Sequence, residues 1–401
     1  MQITDTPSSS SIRLVFVLVV ATALGPFSMQ IFLPALPAIQ ADFGVSAATA
    51  QLVFSLSGIA MAVATLFYGP ISDAIGRRIT MIAGLVVFLV GSAICVVAPN
   101  IHVLIAGRVI QAAGGVAGMV LSRVIIRDIY SRDEAATAIA YVTMAMVVAP
   151  MLAPTLGGYI VAWTVWPVVF VVSGLVGLPV LLATLRQLVE TRSHDVVAGS
   201  VRSILHSFAI LMRNHLFIAY TAQAAFSMSV FFGFLAAAPY AAITLMGLPV
   251  ADYGLMFIMI SAAFMGGNFL SARIGVRVAV DTKITIGALG TLAGTASSVL
   301  LLLLLPWSPW SVFVPMAATA FFQGMAMPNS QAAVVSVKPE IGGAASGLAG
   351  FVQLTMASLV AQTLGSLQWG TPYPMAFGLL VCAGAMTFFA FRARSMGQPV
   401  T

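Results

Sequence analysis

Charge is what this sequence has least of. Asp, Glu, Lys and Arg make up 7% of its 401 residues, where a soluble domain carries roughly 25%. Eleven acids and seventeen bases cannot cover the surface of the two or three soluble domains that this length would otherwise suggest. Cysteine is nearly absent. Cys95 and Cys382 both sit in apolar runs, which argues against a disulfide framework and a thiolate metal site. The four histidines show no metal-ligand spacing with cysteine or carboxylates, so no metal is expected. No nucleophile–base constellation stands out either, so neither an enzyme nor a resident cofactor is expected.

What the chain has is apolar length. Hydrophobic residues make up 60%, and the mean hydropathy is +1.06. Runs long enough to cross a bilayer as helices, about 17–25 residues each, recur along it. They lie at roughly 13–36, 50–70, 79–98, 102–124, 135–160 and 164–187, then 215–243, 253–274, 284–305, 311–335, 343–367 and 373–392. The pattern predicts an all-α membrane protein with twelve transmembrane helices. Run length and the lack of period-two alternation exclude barrel strands. The first dozen residues are polar and serine-rich, without the basic start of a cleaved signal, so the first run is read as a retained helix.

Sixteen of the seventeen bases fall on one side of this segmentation. Arg13 precedes the first run, Arg77 and Arg78 follow the second, and Arg123, Arg127 and Arg132 follow the fourth; the rest occupy the central connection, the later loops on that side and the tail. The positive-inside rule places that side, with both termini, in the cytoplasm. The net charge of +6 is then topological, and no nucleic-acid partner is expected. Residues 188–214 form the one sizeable polar connection. The chain therefore divides into a tail (1–12), a six-helix bundle (13–187), a linker (188–214), a second six-helix bundle (215–392) and a second tail (393–401). The halves echo each other: Ser72-Asp73-Ala74-Ile75-Gly76-Arg77-Arg78 matches Ser271-Ala272-Arg273-Ile274-Gly275-Val276-Arg277 at Ser, Ile, Gly and the last Arg. Two six-helix pseudo-repeats around a central cavity suit a secondary transporter.

The stretch Gly69-Pro70-Ile71-Ser72-Asp73-Ala74-Ile75-Gly76-Arg77-Arg78 resembles the signature loop of the major facilitator superfamily. Its glycines permit a tight reversal, and Asp73 can face the positive end of a neighbouring helix. The resemblance implies a conformational latch of Gly69, Asp73, Gly76, Arg77 and Arg78, closed in the outward-open state against the start of the eleventh helix near Gly342. Ala74 stands where the family usually has arginine, which weakens the latch. A second stretch, Ala149-Pro150-Met151-Leu152-Ala153-Pro154-Thr155-Leu156-Gly157-Gly158, resembles the antiporter motif of drug exporters. There Pro150 and Pro154 lie one turn apart, while Gly157 and Gly158 let another helix come close.

Three more stretches narrow the resemblance. Phe32-Leu33-Pro34-Ala35-Leu36-Pro37-Ala38-Ile39, Arg108-Val109-Ile110-Gln111-Ala112-Ala113-Gly114-Gly115 with Arg127-Asp128-Ile129-Tyr130, and Met327-Pro328-Asn329 are together similar to the bicyclomycin and chloramphenicol resistance (Bcr/CflA-type) drug:proton antiporters. This implies export of small amphipathic drugs across a bacterial inner membrane by alternating access, driven by the proton gradient. A monomer in the lipid bilayer is expected. Two rival readings stay open: an exporter of a single endogenous metabolite, and a transport-inactive sensor on the same scaffold.

The candidate substrate site follows from the polar and aromatic residues at mid-span. Arg108 is the one charge at least a turn inside a predicted helix, and such a charge belongs in a cavity or snorkels to the interface. Gln111 follows one turn later on nearly the same face. Gln30 occupies the position where the resembled family commonly has aspartate; it can hydrogen-bond a substrate but cannot titrate. Phe27, Phe54, Phe231 and Gln353, with Gln223 and Gln323, complete a large, apolar, sparsely polar pocket. One fixed positive charge without a mid-span carboxylate favours neutral or anionic amphipaths, with protons as the coupled partner. The small-residue pairs Gly114/Gly118 and Gly343/Gly347 are expected at close helix crossings.

Overall fold

The computed structural model describes residues 9–191 and 201–397. Among these there is no strand, and twelve helices are long and apolar enough to cross a membrane. In the first half α1 (Ser9–Ile31) and α2 (Leu36–Phe43) together form the first span. They are followed by α3 (Ala47–Ile75), α4 (Arg77–Val96), α5 (Ile101–Ile129), α6 (Arg132–Trp163) and α7 (Val168–Gln187). A short helix, α8 (Val201–Met212), lies in the central connection. The second half is α9 (His215–Pro239), α10 (Val250–Ile274), α11 (Val280–Leu304), α12 (Trp310–Ser336), α13 (Gly342–Ser366) and α14 (Tyr373–Gly397).

Number and order agree with the apolar runs, but the ends do not. The expected tail over 1–12 is already helical from Ser9, and α14 continues to Gly397, with 398–401 outside the described residues. Likewise α3 reaches Ile75 and α5 reaches Ile129. Asp73, Arg123, Arg127 and Asp128 therefore sit in helical turns rather than in loops. Hydropathy drops at the first charge, whereas backbone hydrogen bonds continue until a cap or glycine stops them.

Those stops are local. Ser46, Asn100 and Asn214 accept the free amides of Thr49, Val103 and Phe217 at 3.0–3.2 Å and so start α3, α5 and α9. Ser131 and Glu134 form a capping box on α6, and the Ser131 hydrogen bonds hold the Glu134 carboxyl below the usual carboxylate value. A single glycine, Gly76 at φ +106°, reverses the chain between α3 and α4, a conformation closed to other residues.

Packing divides the molecule along its long axis. We call the end carrying the bases the basic end, and the other the far end. At the far end one continuous apolar core joins both halves, containing Phe32, Phe54 and Phe170 from the first and Phe232, Phe234, Phe257 and Phe313 from the second. At the basic end there are two separate cores. One draws only on the first half, around Phe88, Leu121 and Ile125, and the other on α8 and the second half, around Phe217, Ile284 and Met386.

Contacts between helices follow the same division. At the far end Ser55 Oγ donates to Gln362 Oε1 (2.5 Å), Gln362 Nε2 to the Ala48 carbonyl (2.9 Å) and Thr155 Oγ1 to the Gly254 carbonyl (2.6 Å). Toward the basic end Gly69 on α3 and Gly343, Gly347 and Gly350 on α13 have nothing within 4 Å of where a Cβ would stand. The expectation that Gly343 and Gly347 mark a close crossing is thus not met: the halves are apart there. Gly114 and Gly118 do mark one, lying against Phe88 on α4 and Ala21 on α1.

Candidate functional site

Arg108 lies on α5 with no exposed surface. One Nη donates to the Ser28 carbonyl (3.1 Å) and to Gln111 Oε1 (2.6 Å), and the other approaches Met29 Sδ (3.6 Å). The guanidinium stacks over Phe32, 4.0 Å from the ring centroid, with Phe170 at 5.8 Å. Its Nε has no partner, and among the described residues no carboxylate pairs with it. Backbone dipole, amide and aromatic faces alone offset the charge. Snorkelling to the interface is excluded by the burial.

Gln111, one turn on and fully buried, passes the network to α4 by donating to Ser92 Oγ (2.8 Å). Close helix contact makes this possible: a Cβ on Gly91 would overlap the Gln111 backbone.

Aromatic rings carry the site across the halves. Phe170, Phe32, Phe54, Phe232 and Phe231 form a chain with successive centroids 5.5–6.3 Å apart. Phe32 covers Arg108, and Phe54 meets Phe232 from the opposite half. Of the residues expected at the site, Arg108, Gln111, Phe54 and Phe231 are therefore brought into one assembly. Phe32, Phe170 and Phe232 link them and were not singled out by sequence. Phe27 is half-buried and packs against the shared core. Gln30 is 6% exposed and makes no hydrogen bond among the described residues.

The amides of the second half form a separate group. Gln353 Oε1 accepts from Gln331 Nε2 (2.9 Å), a partner absent from the sequence reading, and Gln353 Nε2 is unpaired. Gln323 donates to the Ser227 carbonyl (2.7 Å). Gln223 is fully buried with neither amide atom paired. Leaving such a group unpaired costs about 1–3 kcal/mol.

The charged latch residues are engaged with the first half and the start of the linker. Asp73 pairs with Arg77, whose Nε also donates to Asp128 (3.2 Å). The Glu190 carboxylate accepts from the Arg77 amide (2.8 Å), and Arg78 reaches the Leu185 carbonyl (3.0 Å). Asp73 has no contact with Gly342, whose nearest neighbour is Val335 of its own half. In the antiporter motif, Pro150 and Pro154 lie within the continuous α6. A Cβ on Gly157 would overlap the Ile31 carbonyl, and one on Gly158 would come 2.7 Å from the Val250 carbonyl. The motif is thus the point where α6 presses on α1 and, across the halves, on α10.

Arg77 and Lys283 are buried cations as well, each 6% exposed, and α5 carries a partly buried one nearer its end. Arg123 is six residues from the helix end, half-buried, with Nη2 against Met146 Sδ (3.1 Å) and Nε unpaired.

Comparison with known proteins agrees with this architecture. Over 395 residues, covering 96% of this chain and 98% of the relative, the sequence is 27% identical to a bicyclomycin resistance protein homolog of Haemophilus influenzae. It is 28% identical to multidrug resistance protein D of Escherichia coli, covering 97% and 99%. Among solved structures, a bacterial homolog of the human lysosomal transporter Spinster superposes with a TM-score of 0.79 at 14% identity, covering 97% of this chain and 98% of that one. The sequence profile of the Major Facilitator Superfamily matches residues 18–361. With its twelve spans in two halves of six, the chain belongs to the Major Facilitator Superfamily.

Proposed function

We propose that this protein exports small neutral or anionic amphipathic drugs across a bacterial inner membrane by alternating access, in exchange for protons, and that the structure is its inward-facing state. The split of the apolar core carries the reading: one core at the far end, two at the basic end. Rigid halves that share a core at one end and part at the other expose a central site to one side only. The positive-inside rule makes the basic end cytoplasmic, with both termini on that side. The latch residues, turned inward on their own half, fit the same state. The names of the relatives support drugs as the cargo.

Arg108 sets the charge preference. It lies behind the buried ring of Phe32, so a substrate bound against the aromatic chain feels a cation without touching it. At an effective dielectric of about 20, a like charge roughly 8 Å away costs about 2 kcal/mol, a factor of about 30 against lipophilic cations. Gln223, with both amide atoms unpaired, and Gln353, with its Nε2 unpaired, are buried in the second half in this state. Proton exchange falls to acids in the end turns of helices, because mid-span carries Gln30 and no carboxylate.

The test is drug susceptibility of a pump-deficient bacterial host with and without the chain, paired with drug-driven proton movement in proteoliposomes. Resistance to several neutral or anionic amphipaths with coupled proton flux supports the reading. Resistance without proton flux removes the antiport. A single rescued metabolite phenotype indicates the metabolite exporter, and no phenotype indicates the sensor.

A further inference from the structure

A cavity lies at the far end, beyond the aromatic chain. It has a volume of about 350 Å³, opens to the far surface and is lined by Leu36, Gln40, Pro239, Tyr240, Thr244 and Gln368, among others. Its walls come from both halves: α2 on one side, the end of α9 and the α13–α14 connection on the other.

Its chemistry is uncharged and polar at the rim. The α2 face carrying Leu36, Pro37, Gln40, Ala41 and Gly44 lines it. Asp42 lies on the opposite face, where its carboxylate accepts from Trp166 Nε1 (2.8 Å). Gln40 and Gln368 exchange two long amide hydrogen bonds across the halves (3.4 and 3.3 Å), each keeping further donors and acceptors. The Tyr240 hydroxyl accepts from the Gly370 amide (3.2 Å), which leaves its own hydrogen to donate. Thr244 is exposed and makes no hydrogen bond among the described residues.

The backbone is built around the same place. After Pro239 the helix widens into a π turn over Tyr240–Leu245, with Met246 N–H bonding the Ala241 carbonyl (3.2 Å) and Leu248 N–H the Ala242 carbonyl (2.9 Å). Turns of this kind are rare and concentrate at functional sites. Here the turn carries both Tyr240 and Thr244 to the cavity.

We propose that this cavity is a second binding site, on the external face, for uncharged amphipaths bearing an apolar face and a hydroxyl or amide, and that its occupant holds the transporter inward-facing. The aromatic chain and the Ser55–Gln362 and Thr155–Gly254 bonds separate it from the cytoplasmic opening, so it is filled from outside. Because its walls belong to both halves, parting the far ends dismantles it. A ligand that binds one state only shifts the population toward that state. Amphipath accumulating outside thus slows further turnover. The assignments of the far end as external and of the structure as inward-facing rest on the function proposed above; the cavity itself does not.

The probe is chloramphenicol, neutral and carrying an aryl face, two hydroxyls and an amide. Thr244→Cys is labelled in intact cells with a membrane-impermeant maleimide; Cys95 and Cys382 are buried and stay silent. With chloramphenicol at ten times its dissociation constant, labelling slows about tenfold. The same protection is expected in Thr244→Cys/Arg108→Ala, and it disappears when Gln40→Leu and Gln368→Leu are added. Unprotected labelling overturns the site. So does protection that vanishes with Arg108→Ala and survives the two glutamine substitutions. Labelling confined to everted vesicles overturns the orientation instead, and the same protection series read there decides the site.

Discussion

Replacing Gly347 by leucine separates the two ends of the cycle. In this structure a Cβ at Gly347 meets nothing within 4 Å, nor does one at Gly343 or Gly350. The larger side chain is accommodated, and exchanging glycine for leucine within a helix stabilises it by up to about 1 kcal/mol in either state. Closure of the basic end brings α3 against α13. How close these helices come is visible at the far end, where a Cβ on Gly58 would overlap Ser358 and one on Gly365 would overlap Gln51. If the basic end closes as tightly, the leucine overpacks that contact. Overpacking costs about 1–3 kcal/mol, which lowers the outward-facing population by about 5- to 160-fold. Efflux of a phenicol should fall by a comparable factor at unchanged membrane level, with Gly347→Ala intermediate. Cysteine labelling from the cytoplasmic side at Gly343→Cys should stay high in the leucine variant and fall in its absence whenever the transporter cycles. Wild-type efflux by Gly347→Leu would refute closure of α3 on α13.

Asp73→Asn leaves the Arg77 guanidinium paired with Asp128 and removes the charge that the latch presents to the start of α13. Insertion should be normal and transport reduced roughly two- to fivefold, following from about 0.3–1 kcal/mol at a helix terminus; wild-type transport would reduce the loop to a topology signal. Gln30→Asp places an anion two residues beyond the carbonyl that Arg108 bonds. At roughly 6–10 Å and an effective dielectric of about 20 this offsets about 2–3 kcal/mol of the cationic field, so ethidium efflux should rise relative to a neutral phenicol. Strong ethidium efflux by the wild type, together with no change on Arg108→Ala, would remove the charge argument. Reporter fusions at Ser193 and Gln398 should read cytoplasmic, and those at Gly44 and Ser308 external; an external signal at Ser193 would contradict the six-helix count of the first half.

The span count was legible because a bilayer imposes a length that few apolar runs meet by chance, and because the bases alternate in step with it. Helix ends were less legible. The apolar run of the fourth helix ends near residue 124, yet α5 continues to Ile129. Arg123 therefore stands inside the protein against Met146, not in a loop. Long basic side chains allow this, since their stems pack along apolar surface while the head finds a polar or polarisable partner. The π turn after Pro239 left only the proline as a signal, because it differs from an α-turn by one step in hydrogen-bond register.

The site itself divides along the same line. Arg108 announced itself as a lone cation in an apolar run, and its i+3 partner Gln111 follows from helix periodicity. Phe32 and Phe170 could not be picked from 25 phenylalanines, since only tertiary packing places them over the guanidinium. The glycine pairs are more instructive. Gly114 and Gly118 pack helices of one half, a contact that rigid-body rocking preserves, and they are found in close contact. Gly343 and Gly347 carry the same spacing, but a Cβ on either meets nothing within 4 Å. Small residues there serve no contact in this structure, where the space around them is open. They fit the state in which the basic ends meet. A transporter's sequence carries the steric demands of both ends of its cycle, so a motif idle in one state is itself a reading of the other.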